Sequence, residues 1–240
     1  MPIYPRLILK LVEESGVGFS NAKTKEEIKS KISQYGYDDA KLDELLALNA
    51  RAVEKMQAFE SLYGEKLDST IKLEEKYKSE YNQYSAFRQI ANKLFVGDEY
   101  KGLRSQLGID EDLKKNFEGV IEQAKQYYES ALKNQVRLQG ILKISLTNEK
   151  IQERLNELSE LKRLNEIQES AKGISIAARK ERDETYLELR QEWENFKIFC
   201  RNLFKENHEY LTILNIKPKK KRTSTKTNTT ADNPENQQDQ

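Results

Sequence analysis

The stretch Tyr84-Ser85-Ala86-Phe87-Arg88-Gln89-Ile90-Ala91-Asn92-Lys93-Leu94-Phe95 decides the fold, because its pattern occurs twice. At an offset of 109 positions (84 to 193), Trp193 stands for Tyr84, Phe196 for Phe87, Cys200 for Ala91, Leu203 for Leu94 and Phe204 for Phe95. Tyr84, Phe87, Ala91 and Leu94 are three and four residues apart, the spacing that places side chains on one face of a helix. Working outward toward the N-terminus, the same steps continue through Tyr81, Tyr77, Leu73, Thr70, Leu67, Tyr63, Phe59, Met56, Ala52, Leu45 and Leu42, with a polar gap at Asn49. That is the seam of a coiled coil or of a long bundle helix beginning near Asp38 and ending near Val96-Gly97-Asp98. Gly64 lies within the run without changing its phase. No Pro, Asn or second Gly marks a turn beside it, so the pattern predicts one continuous or gently kinked helix in preference to a hairpin.

The repeat extends beyond this block. Without gaps, Ile32 meets Ile141, Lys41 meets Lys150, Leu42 meets Ile151, Leu46 meets Leu155, Gly64 meets Gly173, Glu75 meets Glu184 and Tyr77 meets Tyr186. A two-residue deletion then brings Leu107 onto Leu214 and Ile109 onto Ile216. Chance heptad matching would not also align both interior glycines and the closing Leu-Gly/Asn-Ile. The expected unit is a shorter helix, a capped turn, a long helix and a Leu-x-Ile connection.

The fold class read from this pattern is all-α, an elongated antiparallel helical bundle or coiled coil built from two tandem copies of a long-helix unit. Residues 1–23 read as an irregular leader, because Gly16, Gly18, Ser20 and Asn21 interrupt the pattern. The first repeat unit is read at 24–109, with Thr24 and Glu27 as a capping box and Gly36 as the stop of the shorter helix. The second is read at 110–216, with Asp110 as N-cap of a helix through Leu113, Phe117, Val120, Ala124, Tyr127, Ala131, Leu138 and Ile141 to about Ser145, and with Thr147 capping the next long one. Residues 217–240 read as a disordered basic and polar tail. A helix of this kind spans roughly 87 Å at 1.5 Å per residue, and the shorter helix roughly 50 Å. Part of the apolar stripe is therefore left to meet the N-terminal helix or a second subunit.

Composition agrees with long helices. Of 240 residues 34% are charged, and there are only ten glycines and four prolines. Forty-one basic against 40 acidic side chains leave a net charge of +1, the balance of helices with exposed Glu–Lys pairs and not of a surface that draws nucleic acid or anionic membrane by its overall field. No segment approaches the roughly 18 apolar residues of a membrane span. The apolar run after Met1 is broken by Lys10 and lacks a small-residue cleavage site, so a cytoplasmic protein is expected, or a nuclear one were the source eukaryotic.

Catalytic signatures are wanting. Cys200 is the single cysteine and His208 the single histidine, too few for a Cys/His zinc site. No Glu stands three residues before His208, as a di-metal carboxylate bundle requires. Gly16-Val17-Gly18 lacks the rest of a phosphate loop, and there is no Gly-x-Ser-x-Gly elbow. Cys200 pairs with Ala91 in the repeat and reads as a small core residue. The series Tyr77, Tyr81, Tyr84, Phe87 and Tyr186, Trp193, Phe196, Phe199 reads as core, a ligand pocket beside Tyr77, Tyr84, Tyr186 and Trp193 being the weaker alternative. No catalytic residue, metal or cofactor is assigned.

The remaining candidate is the tail. Lys217, Lys219, Lys220, Lys221 and Arg222 form a compact basic run that suits a nuclear-targeting signal or contact with nucleic acid. The blander reading is a solvated terminus. The pattern Gly36-Tyr37-Asp38-Asp39-Ala40-Lys41-Leu42, with Tyr63-Gly64-Glu65, Phe95 and Leu107-Gly108-Ile109, resembles bacterial proteins made of tandem helical segments over roughly residues 25–216, a resemblance that implies no activity. The expected function is thus a non-enzymatic structural or protein-interaction bundle, with a protein partner or a homo-oligomer and no membrane span. A nucleic-acid-associated helical protein using the tail is the alternative.

Overall fold

The computed structural model describes residues 4–138 and 147–218, and among these the chain is helical, with no strand. The helices are α1 (Pro5–Thr24), α2 (Glu26–Ile32), α3 (Asp39–Leu94), α4 (Lys101–Leu107), α5 (Phe117–Lys133), α6 (Gln135–Leu138), α7 (Asn148–Leu203) and α8 (His208–Ile213). Asp38 caps α3, its Oδ1 accepting the Lys41 amide at 2.9 Å. Thr147 caps α7 in the same way, its hydroxyl oxygen accepting the Lys150 amide at 3.3 Å. Gly64 and Gly173 lie inside these uninterrupted helices and are neither hairpins nor turns. A methyl group added at either would meet nothing within 4 Å.

Three sequence expectations need correction. From Pro5 onward, the leader expected over residues 1–23 is helix α1. Its buried residues Ile8, Leu11, Ser15, Phe19 and Ala22 fall three and four apart, and Pro5 opens the first turn, where its missing N–H costs nothing. Gly18 does not break this helix. It serves close packing, since a Cβ there would lie 2.4 Å from the Trp193 ring and 2.9 Å from the Leu214 carbonyl oxygen. Thr24 is accordingly the last residue of α1, its hydroxyl donating to the Ser20 carbonyl at 2.9 Å, and Lys25 occupies the N-cap of α2.

The second correction concerns Asp110. No helix starts there. Residues 110–116 stay non-helical, and α5 opens after Asn116. Buried Gln123 holds this segment, accepting the Lys114 amide and donating to the Asp112 carbonyl, both at 2.9 Å, while Asp110 accepts from Arg104 Nε at 2.7 Å. Thirdly, the helix expected to reach Ser145 is interrupted at Asn134, which closes α5 before the short α6. The end expected near Ser145 lies outside the described residues.

The chain divides into two compact units, one of residues 1–50 with 187–240 and one of 51–186. In the first, α1, α2 and α8 cover the start of α3 and the end of α7 around Phe19, Leu42, Trp193 and Phe196. Phe19 stands edge-on to Trp193 with ring centres 5.3 Å apart. The polar gap at Asn49 is where α1 docks, Asn49 Nδ2 donating to the Val12 carbonyl and to the Ser15 hydroxyl oxygen, both at 2.8 Å.

In the second unit α4, α5 and α6 cover the end of α3 and the start of α7. The core is Tyr84, Ala91, Phe95, Leu103, Leu107, Ile121, Tyr127, Tyr128, Ile151, Leu158 and their neighbours. Here α3 and α7 pack against each other antiparallel. Lys55 pairs with Glu181 at 2.7 Å, Gln168 Nε2 donates to the Thr70 hydroxyl at 3.4 Å, Lys76 pairs with Glu157, and Arg154 pairs with Glu80 at 3.0 Å. Partner numbers on α7 fall as those on α3 rise.

Glycine chemistry gives opposite expectations at two kinds of site. Gly18→Ala should lower stability by about 1–3 kcal/mol through overpacking against Trp193. Gly64→Ala and Gly173→Ala should each raise it by about 1 kcal/mol through helix propensity alone. Denaturant titrations followed by helical circular dichroism and Trp193 emission check both; an unchanged midpoint for Gly18→Ala would contradict the close approach of α1 to Trp193.

Candidate interaction surface

Between Met56 and Tyr84 on α3, and between Leu161 and Tyr186 on α7, no apolar side chain is buried. The buried side chains of this stretch are polar: Glu80, Ser175, Arg182 and Thr185. Leu73, Tyr77 and Tyr81 still pack partly against the core of the second unit, the Tyr77 ring centre 5.3 Å from that of Phe117 on α5, but farther along the pair side chains expected in the seam are left in water. Tyr63 and Leu67 are 43% and 41% exposed, contrary to their assigned seam positions. A physical reason is available in the spacing. A strict three-four alternation drifts about 20° per heptad on a straight α-helix, so such a seam turns away from a single partner unless the pair supercoils.

Two apolar faces result. On α3, Tyr63, Leu67 and Ile71 follow one another at four-residue steps, all exposed, with Lys66 Nζ 5.3 Å from the Tyr63 ring centre. Between α3 and α7 lies an open groove of about 370 Å³ lined by Leu62, Glu65, Glu166, Ile167, Ser170, Ala171 and Ile174. Ile167 and Ile174 are 41% and 50% exposed. Small side chains at Ser170 and Ala171 keep its floor low. Two acids stand at its edge, Glu65 and Glu166. Glu157, Glu169 and Glu181 pair with Lys76, Lys172 and Lys55, whereas Glu65 and Glu166 form no ion pair among the described residues.

Below this stretch, Glu80 and Arg154 form a pair that is almost fully enclosed, with side chains 4% and 13% exposed. Burial raises the Glu80 carboxyl above its ordinary range, opposed by the neighbouring Arg154 charge. The Tyr127 and Tyr128 phenols are raised too, chiefly by burial, and the enclosed Tyr128 hydroxyl has no hydrogen-bond partner among the described residues. Such phenols stay neutral at ordinary pH and offer no base.

The residues singled out in the sequence distribute as follows. Tyr84 is enclosed in the second unit among Tyr127 and Tyr128, with ring centres 5.8 and 6.3 Å away. Trp193 is enclosed in the first between Phe19 and Phe196. Each ring is filled around by its own core. Cys200 is fully buried with its thiol pushed up to about 12 by burial, so it is no nucleophile at neutral pH. His208 is exposed at the start of α8. Among the described residues no group of three or more His, Cys, Asp or Glu is placed to hold a metal, and no helix is long and apolar enough to cross a membrane. Of the basic run, Lys217 is exposed and its carbonyl accepts from Arg201 Nε at 3.0 Å; Lys219, Lys220, Lys221 and Arg222 lie outside the described residues.

Sequence reading missed the groove. Its signal was Ile167, Ala171 and Ile174, spaced i, i+4, i+7 across Gly173, a stripe offset from the seam. No protein-family model, curated protein or solved structure matches this chain.

The enclosed ion pair generates a test of the packing beneath the surface. Arg154→Met would strand a buried carboxylate and should cost about 3–5 kcal/mol at neutral pH. The sign of the pH dependence follows from the raised Glu80 pKa. The folded chain holds that proton more readily than the unfolded one, so Glu80 favours folding in acid, and this contribution is lost as pH rises through the folded-state value. Without Arg154 that value rises further. The deficit of Arg154→Met should therefore shrink in mildly acidic buffer, and adding Glu80→Gln should recover most of it at neutral pH. Denaturant midpoints at the two pH values, compared with the unaltered chain, decide this.

Proposed function

We propose that this chain is a non-enzymatic helical scaffold that associates with another protein molecule through the uncovered stretch of the α3–α7 pair. The observation that carries the reading is the two exposed apolar faces there, Tyr63, Leu67 and Ile71 at four-residue steps on α3, and Ile167 and Ile174 in the groove. Isolated exposed apolar side chains are ordinary on protein surfaces, but clustered ones mark association sites. The paired helices supply the stiff support.

The scaffold is, on this reading, a duplicated unit. Both long helices have 56 residues, and their ends fall 109 apart at each terminus (39 to 148, 94 to 203). Buried residues of α1 recur in α5 at that offset: Leu11 with Val120, Ser15 with Ala124, Phe19 with Tyr128, Ala22 with Ala131. After each long helix a short helix closes in a left-handed residue, Gly108 at φ 66° and Asn215 at φ 57°. Matching bonds follow, from the Ile109 amide to the Arg104 carbonyl and from the Ile216 amide to the Leu211 carbonyl. On this reading α1 stands in the first copy where α5 stands in the second.

A photo-crosslinking side chain placed at Leu67 or Ile174 in cells should give adducts with a second protein or a second copy, whereas one at Lys180, in the same helix and well exposed, should give none. Equal labelling at all three positions, or none at Leu67 and Ile174, rejects the scaffold reading.

The basic run Lys217–Arg222 supports a second reading, contact with nucleic acid, since five cationic side chains within six residues form a local field that the balanced body lacks. A gel shift with the full chain and with a chain ending at Ile216 should then show binding only for the former. Equal mobility shifts, or none, reject it.

A further inference from the structure

Resting on the scaffold reading, we propose that the groove between α3 and α7 receives a helix from a different protein whose apolar stripe is flanked by Lys or Arg. The floor is apolar and open, at Leu62, Ile167, Ala171 and Ile174, and the rim is acidic, at Glu65 and Glu166. Small side chains at Ser170 and Ala171 allow a third helix to settle between two others, the way an amphipathic helix enters a groove by its i, i+3, i+4 anchors. The same pair already accepts a third helix in α5, whose Val120, Ile121 and Ala124 are buried.

The choice of occupant follows from charge and reach. Glu65 and Glu166 line the groove without ion pairs among the described residues, so the groove presents an uncompensated negative edge. A second copy offering the same lining would bring four carboxylates together with no base among the lining residues, an arrangement that repels. Residues 139–146, though apolar, are tied at Leu138 and Thr147. Even fully extended, four residues span at most about 14 Å, whereas some 20 residues of α7 separate Thr147 from Ile167, a helical rise of about 30 Å. The tail from Lys219 onward is basic but carries a single apolar residue, Ala231, and cannot cover an apolar floor. A separate helix that joins apolar and basic character meets both demands.

Two designed helical peptides with the same Leu/Ile stripe, one flanked by Lys and one by Glu, serve as probes in fluorescence anisotropy against the full chain. The Lys-flanked peptide should bind about tenfold more tightly, the factor expected of two exposed ion pairs, with the difference fading as salt is added. The Glu65→Lys, Glu166→Lys double variant should invert the preference. Ile167→Asp with Ile174→Asp should abolish binding of both while leaving helical circular dichroism and Trp193 emission unchanged, because both side chains are already half in solvent. Equal binding of the two peptides, or a preference untouched by charge reversal, overturns the proposal. So does absence of binding, whether the chain is then a monomer or a concentration-dependent dimer that the Asp variant dissociates. If the peptides fail while cross-links at Ile174 persist, the scaffold reading stands and only the nature of the partner is wrong.

Discussion

A helix of 56 residues buries its apolar stripe only where something lies on it, and a second helix of equal length covers one side alone. That constraint orders the rest of the structure. Where α1, α2 and α8 lie on the long helices, Leu42, Trp193 and Phe196 are enclosed. Where α4 and α5 lie on them, Tyr84, Ile151 and Leu158 are enclosed. Along residues 57–79 and 162–181 no apolar side chain is buried, and only Leu73 and Tyr77 pack partly against the second core. At about 25 cal/mol per Å² of apolar area removed from water, the covered stretches gain what this one forgoes.

Polar side chains take over specification where apolar burial fails. Asn49 fixes the position of α1 along α3 by two hydrogen bonds. Gln123 holds the segment before α5 out of helical geometry. Thr70 with Gln168, and Glu80 with Arg154, tie α3 to α7 at stated levels, so that sliding one helix by a turn would break both contacts and strand a buried charge. A pair stabilised only by an unbroken apolar seam would resist such sliding less, because one apolar step resembles the next.

The all-helical character, the two caps at Asp38 and Thr147, the stops at Gly36 and Gly108, and the continuity of both long helices through their glycines could be read from local rules. They depend on capping geometry, on positive φ and on spacing, all of which are local. What escaped depends on contacts between distant residues. Gly16 and Gly18 carry the same local signature as a break, yet α1 passes through them because Gly18 must sit against Trp193, 175 positions away (18 to 193). Asp110 has the right side chain for an N-cap, but Gln123 and Arg104 bind the segment otherwise. The groove escaped for a different reason. The seam rule picks the stripe that faces the partner helix, and Ile167, Ala171 and Ile174 lie to one side of it.

That offset stripe is the part of the sequence least explained by the fold. A solvated helix face is best served by Lys, Glu and Arg, which have good helix propensity and carry their own water, and this chain has them in abundance elsewhere on α3 and α7. Isoleucine at positions 167, 174 and 176 is poorer on both counts, since its β-branching costs side-chain freedom in a helix and its surface is exposed. Ile71 shares both faults, and Tyr63, also exposed, has a helix propensity no better. Tyr63 stacks on Phe59 and lies beside Lys66, but Ile167 and Ile174 stay half in solvent in the groove. An apolar floor at Ile167 and Ile174, small side chains at Ser170 and Ala171, and an acidic rim are what the proposed partner helix would cover.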